Sequence, residues 1–392
     1  MKTDAKTGPL ERMAPRFAEL AELSLDALPG MFDAETGLFS HKTTIRDGRF
    51  ANREPNVLYS AVSLVGILRQ RRRAAEEVLP LGRALDGLHA ATAERARPGE
   101  TGNFVWAATI AEDGRGAEMS RRLAAVDPAT CPSGELGQVL YGLVCAARAY
   151  EGERDSALAA ARRAAAELRG RFSPRAEVFR TSPRARRLPR RELLEAGLAS
   201  FAAQVYPLHG LAALHLYTGE APPPELARVA GRIVEAQGPL GQWWWIYSSR
   251  SRVVLEGYPV YSVHQDGMAF LGLVELERLG LGSFLEPLAL GLDWIYGANE
   301  LRASLIHRDP PMVFRNIQRA GSDADGPYGV SKANLWRILR RSWMPGISGD
   351  ATEARPRDLE VLEECRSYHL GWLLYADSLV QEAEARRDSG GG

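Results

Sequence analysis

Apolar residues recur at three- and four-residue spacing along most of the chain, whereas alternation at every second residue is scarce. Stretches 74–95, 155–169 and 224–236 are rich in Ala, Leu, Glu and Arg and read as amphipathic helices. Between such stretches lie shorter segments that are apolar on most faces. They are YSAVSLVGIL (59–68), GQVLYGLVCAARAY (137–150), VYPLHGLAALHLYTG (205–219), VHQDGMAFLGLVEL (263–276) and SYHLGWLLYADSL (367–379).

These five segments align on a glycine, at Gly66, Gly142, Gly210, Gly272 and Gly371. A mid-helix glycine costs about 1 kcal/mol relative to alanine, so its recurrence calls for close approach of neighbouring helices. One or two turns earlier each segment carries a polar or aromatic residue: Tyr59, Glu135 or Gln138, Tyr206, His264 or Gln265, and Tyr368. NFVWAATIA (103–111) is a copy without the glycine, and ANLWRILRR (333–341) is weaker still.

A recurring supersecondary unit predicts a repeat architecture. Buried helices alternating with amphipathic ones predict an all-α toroid of about six helical hairpins, in preference to an irregular bundle or a solenoid. One such domain is expected over residues 1–382, with a flexible tail at 383–392. The inner helices then open at one mouth, bringing Tyr59, Asn103, Trp106, Gln138, Tyr206, His209, His264 and Tyr368 around a common cavity.

Three segments break the helical pattern. Residues 241–262 predict an aromatic β-hairpin turning near Ser248–Ser251, and 303–319 a second one turning at Asp309-Pro310-Pro311. Residues 170–192, with Arg171, Arg175, Arg180 and five further arginines among prolines and serines, predict a loop that serves either as a lid over an anion or as a solvated rim.

Composition narrows the function. Of 392 residues, 45% are hydrophobic and 25% charged, which excludes a disordered or fibrous chain. Lys+Arg and Asp+Glu are 49 each, which argues against nucleic acid or an anionic membrane as the main partner. No apolar run approaches the roughly 18 residues of a membrane span, and the first residues lack the apolar core of a signal peptide. A cytoplasmic protein is therefore expected. The three cysteines (Cys131, Cys145, Cys365) show no paired spacing, no HExxH is present, and no phosphate- or dinucleotide-binding fingerprint occurs. Neither a metal nor a cofactor is expected.

The densest candidate chemistry lies in 241–268. With Pro259 in the first turn of a helix, Tyr261, His264, Gln265 and Met268 share one face. His264 suits a general acid or base. Tyr261, Tyr258 and Tyr247 suit proton donation, or abstraction if an arginine lowers their pKa. Arg250 and Arg252 suit a bidentate grip on a carboxylate, and Trp243, Trp244 and Trp245 a stacking floor. Asp266, two residues from His264, points elsewhere, and His307 and His369 stand isolated in sequence. Glu135 and Asp266 are the acids in cavity positions.

The segment WWWIYSSRSRVVLEGYPVYSVHQDGMAFLGLVEL (243–276) resembles the heparosan-glucuronate 5-epimerases, in whose toroid domain a Trp- and Tyr-rich stretch leads into a tyrosine, a histidine and an apolar helix. Phe172 and LYTGE (216–220) resemble sugar-acting toroids such as the acylglucosamine 2-epimerases. The resemblance implies proton abstraction and return at carbon, with Tyr247, Tyr258, Tyr261 and His264 at the matching positions. GQWWW (241–245) is similar to the Gln-Trp elements of triterpene cyclases, although DADG (323–326) is a poor substitute for their acid motif.

The reading is therefore a toroid enzyme performing epimerisation or β-elimination on a small or oligomeric saccharide, a uronic acid among the candidates. The alternatives are a terpene cyclase-like enzyme with an aromatic cavity and a non-catalytic saccharide-binding toroid. Catalytic candidates are His264, Tyr261, Tyr258 and Tyr247. Binding candidates are Trp243, Trp245, Arg250, Arg252, Gln265, Asn103, Trp106, Glu135, Gln138, Tyr206, His209 and Tyr368.

Overall fold

The computed structural model describes residues 8–181, 197–322, 338–342 and 351–390. Among them are twelve helices of ten residues or more. In chain order they are α1 (Pro9–Met31), α2 (Val57–Arg69), α3 (Leu81–Arg95), α4 (Pro98–Ile110), α5 (Arg115–Ala124), α6 (Ser133–Ala149), α7 (Arg154–Gly170), α8 (Ala202–Thr218), α9 (Pro224–Glu235), α10 (Ala269–Arg278), α11 (Leu285–Ile295) and α12 (Ser367–Gly390).

The even-numbered helices touch in the order α2, α4, α6, α8, α10, α12 and back to α2, closing an inner ring that the odd-numbered helices surround. The fold is an α/α toroid of six hairpins. Burial separates the two rings. In α9 only the stripe Leu226, Val229, Ala230, Arg232 and Ile233 is buried, the mark of a helix with one wet face. In α2 every residue from Ser60 to Ile67 is buried.

The recurring glycines let the inner helices meet backbone to backbone. A Cβ on Gly142 would lie 2.7 Å from the Gly102 α-carbon, and one on Gly210 would lie 2.7 Å from the Gly137 carbonyl oxygen. Gly102 supplies the small residue for α4, one position before the copy that lacks a glycine. Helix ends follow local chemistry: the Asn56 side chain accepts from the Tyr59 amide at 3.0 Å to start α2, and Gly219 at φ 70° ends α8.

Both expected hairpins form, Ile246–Ser248 with Val254–Glu256 and Ile306–Arg308 with Pro311–Val313. Two further small sheets frame the mouth of the ring. Val260–Tyr261 pairs with Asn316–Arg319, which pairs with Leu359–Leu362. Glu364–Cys365 pairs with Thr43–Arg46. No described helix is long and apolar enough to cross a membrane.

Three local expectations are corrected. No helix starts at Pro259: residues Val260–Tyr261 are a strand, and the inner helix opens through a π-turn at His264–Met268. The segment after α7 begins as a small hairpin, Phe172–Ser173 with Val178–Phe179. Its Arg171 is wholly buried and donates to the Cys131 carbonyl at 2.6 Å and the Pro128 carbonyl at 2.9 Å, so it is a core staple and no part of a lid. Arg184, Arg186, Arg187, Arg190 and Arg191 lie outside the described residues, as does DADG (323–326) and most of the 333–341 copy. Helix α12 continues to Gly390, into the tail expected at 383–392, and Arg387 pairs with Glu11 of α1 at 2.6 Å.

Candidate functional site

Because the inner helices run parallel, their first turns gather at one end of the ring. There a cavity of about 320 Å³ is lined by Leu58, Tyr59 and Val62 of α2, Ala202 and Tyr206 of α8, Trp245 of the hairpin, Tyr261, His264 and Met268, Arg315, and Tyr368 of α12. The bore beneath is plugged. Trp106, Tyr141, His209, Trp372 and Tyr375 pack as one aromatic cluster, with Tyr141 and His209 stacked at 3.8 Å. Trp372 Nε1 donates to the Tyr206 hydroxyl at 3.2 Å, joining plug to cavity.

Within the lining, His264 and Tyr261 stand with ring centroids 5.1 Å apart, and Trp245 stacks on His264 at 5.3 Å. Tyr59 and Tyr368 approach to 4.4 Å. Burial pushes the His264 imidazole down to about 3, against a hydrogen bond to the Trp243 backbone that favours the charged form. Its Nδ1 is buried without a hydrogen-bond partner. His264 is thus a neutral imidazole near pH 7.

The tyrosines behave oppositely to the expectation that an arginine would lower their pKa. Burial pushes the Tyr261 phenol up, and the nearby Arg315 charge does not overcome it. Burial likewise raises Tyr206 and Tyr368. These phenols are protonated donors at neutral pH.

The arginine that reaches the cavity is Arg315, which sequence reasoning missed. Its guanidinium lies 5.3 Å from the Tyr261 ring centroid and donates to Glu364 Oε1 at 2.6 Å. Glu364 is buried and also pairs with Lys42 and Arg366. Burial opposes its ionisation, but the Lys42 hydrogen bond and the Arg366 and Arg315 charges hold its carboxyl below the usual range.

Other expected site residues lie elsewhere. Trp243 is fully buried core, and Tyr247 is buried with its hydroxyl unpartnered. Gln265 turns back to accept from the Trp243 amide at 3.2 Å. It leaves the Tyr261–His264 face because the π-turn replaces regular helix there. Arg252 pairs at the exterior with Glu177 and Glu235, and Arg250 sits by Gly197 behind the hairpin. Trp106 and His209 belong to the plug. Asn103 and Gln138 are buried outside the lining, and Glu135 accepts from the Gly99 amide at 3.2 Å. Asp266 does not face the cavity, and His369 is not isolated: the two form a buried pair at 2.8 Å.

Tyr258 opens onto a different place, a surface cleft of about 690 Å³ that it shares with Trp244, Glu300 and Arg319. There its hydroxyl donates to Glu300 Oε1 at 2.6 Å. The three consecutive tryptophans therefore part company, Trp243 into the core, Trp244 to the cleft and Trp245 to the cavity.

No family model and no curated protein sequence matches the chain. Solved structures share its fold. An unsaturated glucuronyl hydrolase variant from Streptococcus agalactiae, complexed with dGlcA-GalNAc6S, superposes with TM-score 0.58 at 10% identity, covering 96% of this chain and 93% of that one. The GH76A α-1,6-mannanase from Salegentibacter gives TM-score 0.54 at 12% identity, covering 93% and 99%. A type II terpene cyclase from Scytonema gives 0.50 at 11%, covering 96% and 98%. At such identities the likeness establishes the toroid.

Proposed function

We propose that this protein is an enzyme that moves a proton at a carbon of a saccharide, with a uronic acid as the preferred substrate class. The observation that carries this reading is the composition of the cavity wall. It offers a neutral imidazole, buried phenols and one guanidinium, and no carboxylate among the described lining residues. Glycoside hydrolysis by paired carboxylates and carboxylic-acid-initiated cyclisation both call for acids that this wall does not supply. Similarity of fold to carbohydrate-active toroids is in keeping with a sugar ligand.

In this reading Arg315 holds the sugar carboxylate, while Trp245 and the tyrosines pack on the ring. The His264 imidazole accepts the proton from the carbon next to that carboxylate, and the bond's electron pair passes into the carboxylate. A phenol then returns a proton, to the carbon in epimerisation or to the departing oxygen in β-elimination; Tyr261 is the phenol nearest the imidazole. The bound carboxylate also raises the basicity of His264, since a nearby opposite charge favours imidazolium. The second reading, binding without chemistry, has no separate observation in its favour.

The test is proton exchange in deuterium oxide with uronate-containing oligosaccharides, followed by NMR. Deuterium should enter the carbon beside the carboxylate, or an unsaturated product should appear. Tight binding of these sugars with neither outcome would leave a binding protein.

A further inference from the structure

Behind the cavity wall runs a buried polar chain that the proton-transfer reading does not use. His369 Nε2 lies 3.0 and 2.8 Å from the two Asp266 carboxylate oxygens, and its Nδ1 lies 3.4 Å from the Ser262 hydroxyl. That hydroxyl in turn sits 2.7 Å from the Phe314 carbonyl and 2.8 Å from the Arg315 carbonyl. All three side chains are buried, and none lines the cavity.

The connectivity resembles that of a serine nucleophile, but the placement does not. The Ser262 hydroxyl is turned into backbone carbonyls and shut away from any substrate. What the chain does touch is the backbone of the site. Ser262 follows Tyr261, Asp266 lies two residues from both His264 and Met268 within the π-turn, and His369 follows Tyr368. The last carbonyl in the chain belongs to Arg315 itself. One network thus ties together the strand, the π-turn, the first turn of α12 and the loop that present Tyr261, His264, Tyr368 and Arg315 to the cavity.

We infer that Asp266, His369 and Ser262 are positioning residues that hold Tyr261, His264, Tyr368 and Arg315 in register; the functional consequence rests on the cavity being the site. The hydrogen bonding is self-consistent when His369 is protonated. Nε2–H then donates to Asp266, Nδ1–H to the Ser262 oxygen, and the single hydroxyl hydrogen to a carbonyl. Burial opposes that charge, but Asp266 overcomes it and lifts the imidazole to about 9. A π-turn at this point fits the role, since such turns are rare and concentrate at functional sites.

The experiment compares the full-length chain with Asp266→Asn, His369→Gln and Ser262→Ala. Nitrogen-15 NMR reads the ring nitrogens of His264, and D-glucuronate is the binding probe. The expected result is a folded Asp266→Asn protein with altered His264 ring signals. Glucuronate affinity should fall by about 10- to 100-fold, the scale of a site displaced by about 1 Å. His369→Gln, which retains a donor, should lose less. If wild-type protein does not bind glucuronate, the assignment of the cavity fails but the NMR arm still decides the positioning role. Unmoved His264 signals in folded variants overturn it. So does loss of folding in all three variants, which makes the chain core support alone.

Discussion

Gly66 and Gly371 meet where the inner ring closes: a Cβ placed on Gly66 would lie 2.8 Å from the Gly371 α-carbon. Helices α2 and α12 are held at this spacing by the absence of two side chains. Gly66→Ala should therefore lower the melting temperature, with a cost of at least about 1–3 kcal/mol from overpacking. Gly231, on the open face of α9, has nothing within 4 Å of its would-be Cβ. Gly231→Ala should raise stability by about 0.5–1 kcal/mol. Thermal melts of the pair check this; equal responses would remove the packing explanation.

Arg315 is expected to read negative charge in the ligand. Arg315→Gln should weaken D-glucuronate binding about 10- to 100-fold, the worth of a charge-assisted hydrogen bond, while D-glucose binding changes little. Titration calorimetry with both sugars decides the matter. Equal losses for the two would assign Arg315 to structure through Glu364 and Tyr261 alone.

Stability should peak near pH 6.5 as far as the buried histidines set it. Burial pushes His209 and His264 down to about 3. Their contribution is fully present above the unfolded histidine value near 6.5 and is lost as pH falls through 3. His369, lifted to about 9 in the folded state, contributes fully below 6.5 and loses that contribution as pH rises through 9. Melting temperatures across pH 4–10 should fall on both sides of the maximum. His369→Gln should flatten the alkaline limb, and an unchanged limb would show that another group controls it.

Much of the ring was legible because its packing leaves a periodic trace. Close approach of inner helices needs small residues where their backbones meet, and Gly66, Gly142, Gly210, Gly272 and Gly371 record it. Tyr59, Tyr206, His264 and Tyr368 could be placed together at the mouth for the same reason, whereas Tyr261 was grouped with His264 on an expected helix face that is a strand. Arg315 was not legible, because it follows a Pro-containing hairpin and reaches the cavity only when Asn316–Arg319 pairs with Val260–Tyr261. The Asp266–His369 pair joins residues 103 positions apart, which no local spacing reveals. Gln265 was misplaced because a π-turn carries no clear sequence mark and shifts the helix face. Arg250, Arg252 and Tyr258 share the aromatic segment with Trp245, but the hairpin has two sides and only one meets the cavity.

Arg171 is expected to act on the fold alone. Removing it leaves the buried Cys131 and Pro128 carbonyls without their donor, so Arg171→Ala should destabilise the protein by about 1–3 kcal/mol or more. Glucuronate affinity per folded molecule should stay unchanged. A selective loss of affinity would restore the segment as part of the site.

The most direct test of the account is to measure turnover and melting temperature together for His264→Ala and Tyr261→Phe, on whichever uronate shows deuterium exchange. Loss of a general acid or base typically lowers rate about a hundredfold or more. Both variants should show that loss with the melting temperature nearly unchanged. Lower melting temperatures with full activity per folded molecule, or stable variants with full activity, would contradict it.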